Sequence, residues 1–237
     1  MKVAIIVPWR DKGDQRRRAN LQRVIDHLAG TPWPVHVVSD GRAGDLPFGR
    51  QHAYNRGMSE HPADVWIAHE ADMLIPHDQL GRAVDLAATQ TGLVVPFDTY
   101  AYLGVNDSLE VLAGADPGHY EPQWVMVDGR SIGAVNVVSA ATMAAVGRWD
   151  ERLTGHGYDD RAMALAFQVA TGNRTRTVEG VGTHLWHPMA FAPWERGEHA
   201  DPGRYDAADV EATRANKARL SLYRRARTAE DVRALTA

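Results

Sequence analysis

Apolar positions in the first part of the chain alternate between two periods. Residues 3–7 form a continuous apolar run closed by Pro8, as expected of a strand covered on both faces. Leu21, Val24, Ile25 and Leu28 then recur at i, i+3, i+4 and i+7, which predicts an amphipathic helix ended by Gly30, Pro32 and Pro34. A second strand at 35–38 stops at Ser39-Asp40-Gly41. A helix over about 51–59, a strand over 65–69, a helix through Leu80, Val84, Ala87 and Ala88, and a short strand at 93–95 follow. Strands alternating with helices predict an α/β fold with a mostly parallel central sheet flanked by helices. The ligand crevice of such a sheet lies beyond the carboxyl ends of its strands.

From residue 96 to 130 the periodicity fades, and Tyr100, Tyr102, Tyr120 and Trp124 sit among Gly, Asp and Asn. A stretch of this kind reads as a lid or binding loop without regular elements. Order returns with a strand at 134–138, a short helix near 140–146, a helix from about 159 to 170 and a strand near 174–178. The tail from 207 to 227 reads as one charged helix, solvated or packed. No internal repeat or low-complexity linker interrupts this order.

Composition narrows the possibilities. The 237 residues are 44% hydrophobic and 24% charged, with a formal net charge of −4, so no overall field pulls the chain toward nucleic acid or anionic lipid. The chain has no cysteine, which removes disulfides, thiolate nucleophiles, iron–sulfur clusters and cysteine zinc sites and fits a cytoplasmic protein. The run at 3–7 is too short for a signal sequence or a membrane span, and no later segment is long and apolar enough to cross a bilayer.

Two common nucleotide signatures are missing. The first strand runs into Pro8-Trp9-Arg10-Asp11, not a G-x-G-x-x-G turn, and neither a P-loop nor a G-x-S-x-G elbow occurs. Three other segments carry candidate chemistry. Glu70-Ala71-Asp72 follows the apolar strand directly; strand alternation would put both carboxylates on one face, where they suit a hard divalent cation, Mg²⁺ or Mn²⁺. A solvated strand end is the competing reading. Gly155-His156-Gly157-Tyr158-Asp159-Asp160 puts an acidic pair at a predicted helix N-terminus, where capping accounts for one aspartate but not for the glycines. Thr183-His184-Leu185-Trp186-His187 offers two histidines as metal ligands or as members of a structural turn.

Taken in order, these segments resemble the GT-A fold glycosyltransferases, chiefly family-2-like enzymes and the galactosyltransferase C-terminal region. The likeness runs from Val3 to about His187. Pro8 to Asp11 resembles the first nucleotide-contacting loop, and Asp40 the acidic residue that meets the base. Phe48 to Asn55 resembles the family's Gly-x-x-x-Ala-x-Asn helix start, with Arg50 and Asn55 near the donor. Glu70-Ala71-Asp72 stands where the family carries Asp-x-Asp; Asp72 takes the metal-ligand role and Glu70 meets ribose or a water. Ile132 to Arg152 resembles the Gly-Gly…Gly-Phe-Asp-Glu-Arg-Phe segment, with Ala134 in place of the second glycine. Gly155 to Asp160 is similar to Gly-x-Gly-x-Glu-Asp, with Asp159 in place of the glutamate.

The resemblance implies one catalytic domain over residues 1–237. Residues 1–95 form the nucleotide-binding half, 96–190 the acceptor and catalytic half, and 191–237 a helical tail. It implies a nucleotide-diphospho-sugar donor, with uridine as carrier base, and Mn²⁺ or Mg²⁺ held by Asp72 with His187 or His184. Pro8, Arg10, Asp40, Arg50, Asn55 and Glu70 line the donor, and Arg10 or Arg50 offsets leaving-group charge. Asp160 is the candidate base of an inverting displacement, Asp159 orients sugar or acceptor, and Trp124 and Tyr158 are candidate acceptor contacts. The acceptor is open: protein, glycan, small molecule or modified DNA base. Two rivals share these features, a metal-dependent nucleotidyltransferase and a non-catalytic nucleotide-sugar-binding module.

Overall fold

The computed structural model describes residues 1–127, 132–190 and 197–237. Strand β1 (Val3–Pro8) leads through α1 (Gln15–Leu28) to β2 (Val35–Val38). Then come α2 (Arg50–Glu60), β3 (Val65–His69), β4 (Met73–Leu74), α3 (His77–Thr89) and β5 (Val94–Val95). Next are β6 (Thr99–Tyr102), α4 (Val105–Leu112), a 3₁₀ turn (Pro117–His119), β7 (Trp124–Met126), β8 (Val135–Ser139) and α5 (Ala140–Val146). The chain closes with α6 (Asp159–Thr171), β9 (Arg176–Thr177), β10 (Val181–His184), a second 3₁₀ turn (Gly197–His199), α7 (Ala207–Tyr223) and α8 (Ala229–Thr236).

Among the described residues the main sheet has the order β2-β1-β3-β8-β5-β9. The neighbours β1–β2, β1–β3 and β5–β9 are parallel, while β8 runs antiparallel to both β3 and β5. That reversal matters for the site. Val135 at the start of β8 is paired with His69 at the end of β3, so the amino end of β8 arrives at the edge where β1, β2 and β3 finish.

The continuous apolar runs follow from the double cover. Ile5, Val7 and Ile67 pack with α1 and α3 residues Val24, Leu28, Leu80 and Val84 on one face. Ala4, Ile6 and Ala68 pack with α2, α6 and α7 residues Tyr54, Met58, Phe167 and Tyr223 on the other. Ile5, Ile6 and Ile67 are fully buried, each side chain stabilising the fold by about 1.5–3 kcal/mol. Gly57 lets α2 lie on β1, since a Cβ there would come within 2.5 Å of an Ile6 methyl.

A second, smaller sheet, β4-β10-β6-β7, corrects the reading of residues 96–130 as irregular. That stretch contains β6, α4, a 3₁₀ turn and β7, and only its end at 128–130 lies outside the described residues. Strands of two to four residues are too short to print a period. The helix expected over 207–227 is present as α7, which ends at Tyr223. A further helix follows it, because Thr228 and Asp231 form a reciprocal capping box that starts α8. The expected carboxylate alternation also fails, because β3 ends at His69 and Glu70 to Asp72 belong to the turn into β4.

Ala134, just before β8, has φ +67, a left-handed conformation that crowds any Cβ. Its carbonyl accepts from the Glu70 amide at 2.9 Å, tying β8 to the turn that carries Asp72. Ala134→Gly should therefore raise stability by up to about 1 kcal/mol. A urea midpoint that falls would show that the methyl's packing outweighs the backbone strain.

Candidate active site

The ends of β1, β2 and β3 and the starts of α2, β8 and α6 meet at one edge of the main sheet. Two clusters form there. The first is Asp72, His184 and His187. The antiparallel pairing of β4 with β10 sets His184 opposite Met73, the residue after Asp72, and the Leu185 amide donates to the Asp72 carbonyl at 2.8 Å. The chain then loops back: the Trp186 amide donates to Ser108 Oγ at 2.8 Å, and Asn20 Nδ2 donates to the Trp186 carbonyl at 3.1 Å. His187 is thereby returned toward Asp72.

Asp72 Oδ1 lies 3.6 Å from His184 Nε2, and Oδ2 lies 3.3 Å from His187 Nε2. One potential ligand atom from each residue falls within a group 4.8 Å across. Those spacings are long for hydrogen bonds. They match neighbouring ligands of one ion, which stand about 3.0–3.5 Å apart when each bond is about 2.1 Å. Asp72 Oδ1 is moreover buried without a hydrogen-bond partner among the described residues, an expensive state that a cation relieves. Burial pushes the His184 imidazole down to about 4, so it is neutral at pH 7 and has a lone pair to give. Burial alone would raise the Asp72 carboxyl, but His184, His187 and Arg17 bring it well below the carboxylate range. The residues fit a divalent metal.

The second cluster surrounds Arg50, in the first turn of α2. Its guanidinium pairs with Glu70 through one nitrogen and with Asp159 and Asp160 through another, the Asp160 contact being 2.6 Å. Gln51 Nε2 adds a 3.2 Å hydrogen bond to Asp159. The two aspartates differ in access: the Asp159 side chain is 6% exposed and that of Asp160 is 41% exposed. Burial pushes both carboxyls up; for Asp159 the Arg50 charge outweighs it and the net direction is down. For Asp160 burial and the neighbouring Asp159 charge prevail over Arg50, and the carboxyl is raised. Gly133 makes the space, because a Cβ there would fall 2.3 Å from an Asp160 oxygen.

The remaining candidates are placed as follows. Pro8 closes β1 opposite Val38. Arg10 is 3.3 Å from Asp40 and donates to the carbonyls of Ala43, at 2.7 Å, and Leu46; Asp40 also accepts from the Gly49 amide at 2.9 Å. These two residues thus clamp the 40–49 loop against each other. Asn55 exchanges hydrogen bonds with the backbone of Trp149, at 2.8 and 2.9 Å, and donates to Glu151. Trp124 stacks on Tyr102 with centroids 4.9 Å apart, and Tyr102 stacks on His184 at 4.6 Å, so an aromatic row runs from the metal cluster to a half-exposed indole.

Sequence patterns did not point to Arg17, to the α7 side chains or to Glu198 as the partner of Tyr158. Arg17 Nη2 lies 2.9 Å from His187 Nδ1. α7 cradles the loop that carries the acid pair: Thr213 Oγ1 donates to the His156 carbonyl at 2.7 Å, and Asn216 Nδ2 donates to the Thr154 and Gly157 carbonyls at 2.8 and 2.9 Å. Tyr158, left-handed at φ +65, donates its hydroxyl to the buried Glu198, which Lys217 also approaches at 3.3 Å. An Asn and a Thr at i, i+3 on a helix were the only sequence trace of that cradle.

No protein-family model and no curated protein sequence matches the chain. Among solved structures it is similar to a Drosophila β1,4-galactosyltransferase 7 mutant in complex with manganese, UDP-Gal and xylobiose. The identity is 17% and the TM-score 0.50, over 74% of this chain and 64% of that one. It is also similar to glucosyl-3-phosphoglycerate synthase from Mycobacterium tuberculosis in complex with Mn²⁺, UDP-glucose and glycerol 3-phosphate. There the identity is 15% and the TM-score 0.48, over 79% of this chain and 73% of that one. The fold is the GT-A glycosyltransferase fold, and the chain spans less than two thirds (64%) of the galactosyltransferase chain it matches.

Glu198 supplies a pH test of the cradle. Burial would raise its carboxyl, but the Tyr158 hydroxyl and Lys217 hold it at about 2, against an ordinary 4.5. A depressed folded-state value contributes stability that is present above the unfolded value and lost as pH falls toward 2. Tyr158→Phe narrows that gap, so its stability should fall less steeply than wild type between pH 4.5 and 2 in thermal melts. Parallel slopes would remove Tyr158 from the interaction.

Proposed function

We propose that the chain is a metal-dependent glycosyltransferase that moves a sugar from a nucleoside-diphosphate donor, a UDP-sugar, to an acceptor hydroxyl with inversion. The observation that carries this reading is the adjacency, at one sheet edge, of the Asp72–His184–His187 group and the Arg50-braced pair Asp159 and Asp160. The fold it shares with an enzyme crystallised with manganese, UDP-Gal and xylobiose supports the same reading. Residues 1–95 then serve mainly the donor, and residues 96–190 the acceptor and the base.

Asp72, His184 and His187 would hold the ion. Two imidazoles beside one carboxylate suit Mn²⁺ better than Mg²⁺, which prefers oxygen ligands throughout. A bound divalent ion supplies positive charge to the diphosphate leaving group. The protein's own part is proton removal and alignment. Asp160, the more exposed of the pair and raised in basicity, takes the proton of the acceptor hydroxyl. The freed oxygen forms its bond to the anomeric carbon as the carbon–oxygen bond to the diphosphate breaks. Asp159 and Glu70 hold Arg50, and Arg50 fixes the Asp160 oxygen that does not face the acceptor. Trp124 and Tyr158 stand on the acceptor side.

Melting temperature should rise with UDP plus Mn²⁺ by more than with either alone, and Asp72→Ala should remove that synergy. Asp160→Asn should lower kcat by at least about 100-fold while UDP still binds. The acid limb of kcat/KM should lie above the ordinary aspartate value of 3.8, because the base works only when ionised. Pyrophosphate released from a nucleoside triphosphate, in place of UDP released from a UDP-sugar, would move the chain to nucleotidyl transfer.

A further inference from the structure

We propose that Arg17 is the diphosphate-binding cation of the donor site, and that it is freed for that task only when His187 carries its proton on Nδ1. The inference rests on the donor reading above and adds to it a residue and an order of binding.

Hydrogen-bond arithmetic at His187 supports the idea. Nδ1 of the ring lies 2.9 Å from Arg17 Nη2 and 2.9 Å from the Pro188 carbonyl oxygen. Arg17 can only donate and the carbonyl can only accept, so one ring nitrogen cannot satisfy both. If Nδ1 accepts from Arg17, the proton sits on Nε2 and faces Asp72 Oδ2 at 3.3 Å. If Nδ1 donates to Pro188, Nε2 is bare toward Asp72 and Arg17 loses its acceptor on the ring, keeping only the Pro188 carbonyl at 3.0 Å. A metal at Nε2 selects the second arrangement, since a ligating histidine donates its other N–H to a carbonyl or carboxylate. Metal ligation and release of Arg17 are then one event.

The other arginines expected at the donor are engaged elsewhere. Arg10 is spent on Asp40 and two loop carbonyls, and Arg50 is enclosed by three carboxylates. Arg17 is close enough to Asp72 and His184 to act on the charge of both. Arg16, one residue earlier, lies over the Trp186 ring at 5.7 Å with Nη1 buried and without a hydrogen-bond partner among the described residues. Side by side at the start of α1, they offer the only guanidinium groups that the described contacts place against the 184–188 segment.

Titration calorimetry on Arg17→Ala and Arg17→Lys tests this, first with Mn²⁺ alone and then with UDP, UMP and uridine at saturating Mn²⁺. The expected result is opposite signs. Mn²⁺ affinity holds or tightens, because the competitor for Nδ1 is gone, while UDP weakens by roughly 10-fold. UMP should weaken less, uridine not at all, and Arg17→Lys should recover part of the UDP loss. Weaker Mn²⁺ binding, or an equal loss for uridine and UDP, would make Arg17 a prop for His187 and overturn the proposal while the donor reading stands. Wild-type protein that binds no UDP with Mn²⁺ would bring down both.

Discussion

One guanidinium among three carboxylates holds the site in its shape. Arg50, at the start of α2, binds Glu70 from the turn after β3 and Asp159 and Asp160 from the start of α6. Three carboxylates gathered without it would repel one another, and an arginine set there alone would lose its hydration without compensation. Each element is fixed separately by the core, so the pairing adds register more than cohesion. It sets how far α6 stands from the turn that carries Asp72. The metal cluster inherits that placement, since Glu70 and Asp72 belong to the same short turn.

A second constraint comes from the end of the chain. Asp150 is fully buried and is met by Arg219, by Tyr223 at 2.8 Å and by Arg152 at 3.1 Å, so α7 is locked to the segment just ahead of the acid-pair loop. From that anchor Thr213 and Asn216 reach the carbonyls of residues 154, 156 and 157. Left-handed residues at Gly155, Gly157 and Tyr158 bend the loop sharply before α6 begins, a conformation that persists only where neighbours hold it. A helix that reads as a generic charged tail is thus the outer wall of the candidate catalytic loop.

How much of this is legible in the sequence depends on the range of each interaction. The strands at 3–8 and 65–69 print themselves because a sheet covered on both faces needs an unbroken apolar run. α5 and α6 begin at 140 and 159, as the pattern predicts, but neither aspartate caps α6: its N-cap is the left-handed Tyr158, with no side-chain cap bond, and both aspartates sit in the first turn. Strands β6 and β7 are four and three residues long and leave no period to read, which is why residues 96–130 look irregular from sequence, and the two-residue β4 is just as silent. The consequence of β4 is large, because its pairing with β10 brings His184 to Asp72. The Arg50 pairs span 109 and 110 positions, and nothing local in a sequence encodes such a partner. Arg10 and Asp40 carry the opposite lesson: a motif places them at the cleft, yet they bind each other, and Arg10 donates to two carbonyls of the 40–49 loop.

The two clusters also divide the cleft by charge, and that division bears on direction of transfer. Around Arg50, three carboxylates face one guanidinium, so that side is net negative while all are ionised. Around Asp72 the buried His184 is neutral, Arg17 offsets the one carboxylate, and Arg16 lies beyond. In the proposed reaction an uncharged hydroxyl loses a proton on the negative side and a diphosphate gathers charge on the side that holds Arg17 and Arg16. A nucleotide entering the other way round would set its phosphates against Asp159, Asp160 and Glu70. In the proposed reaction charge alone thus favours one orientation of the donor before any sugar contact is made. The loop and helix that hold Asp159 and Asp160 in place are, on this view, as much a part of donor selection as the residues that touch phosphate.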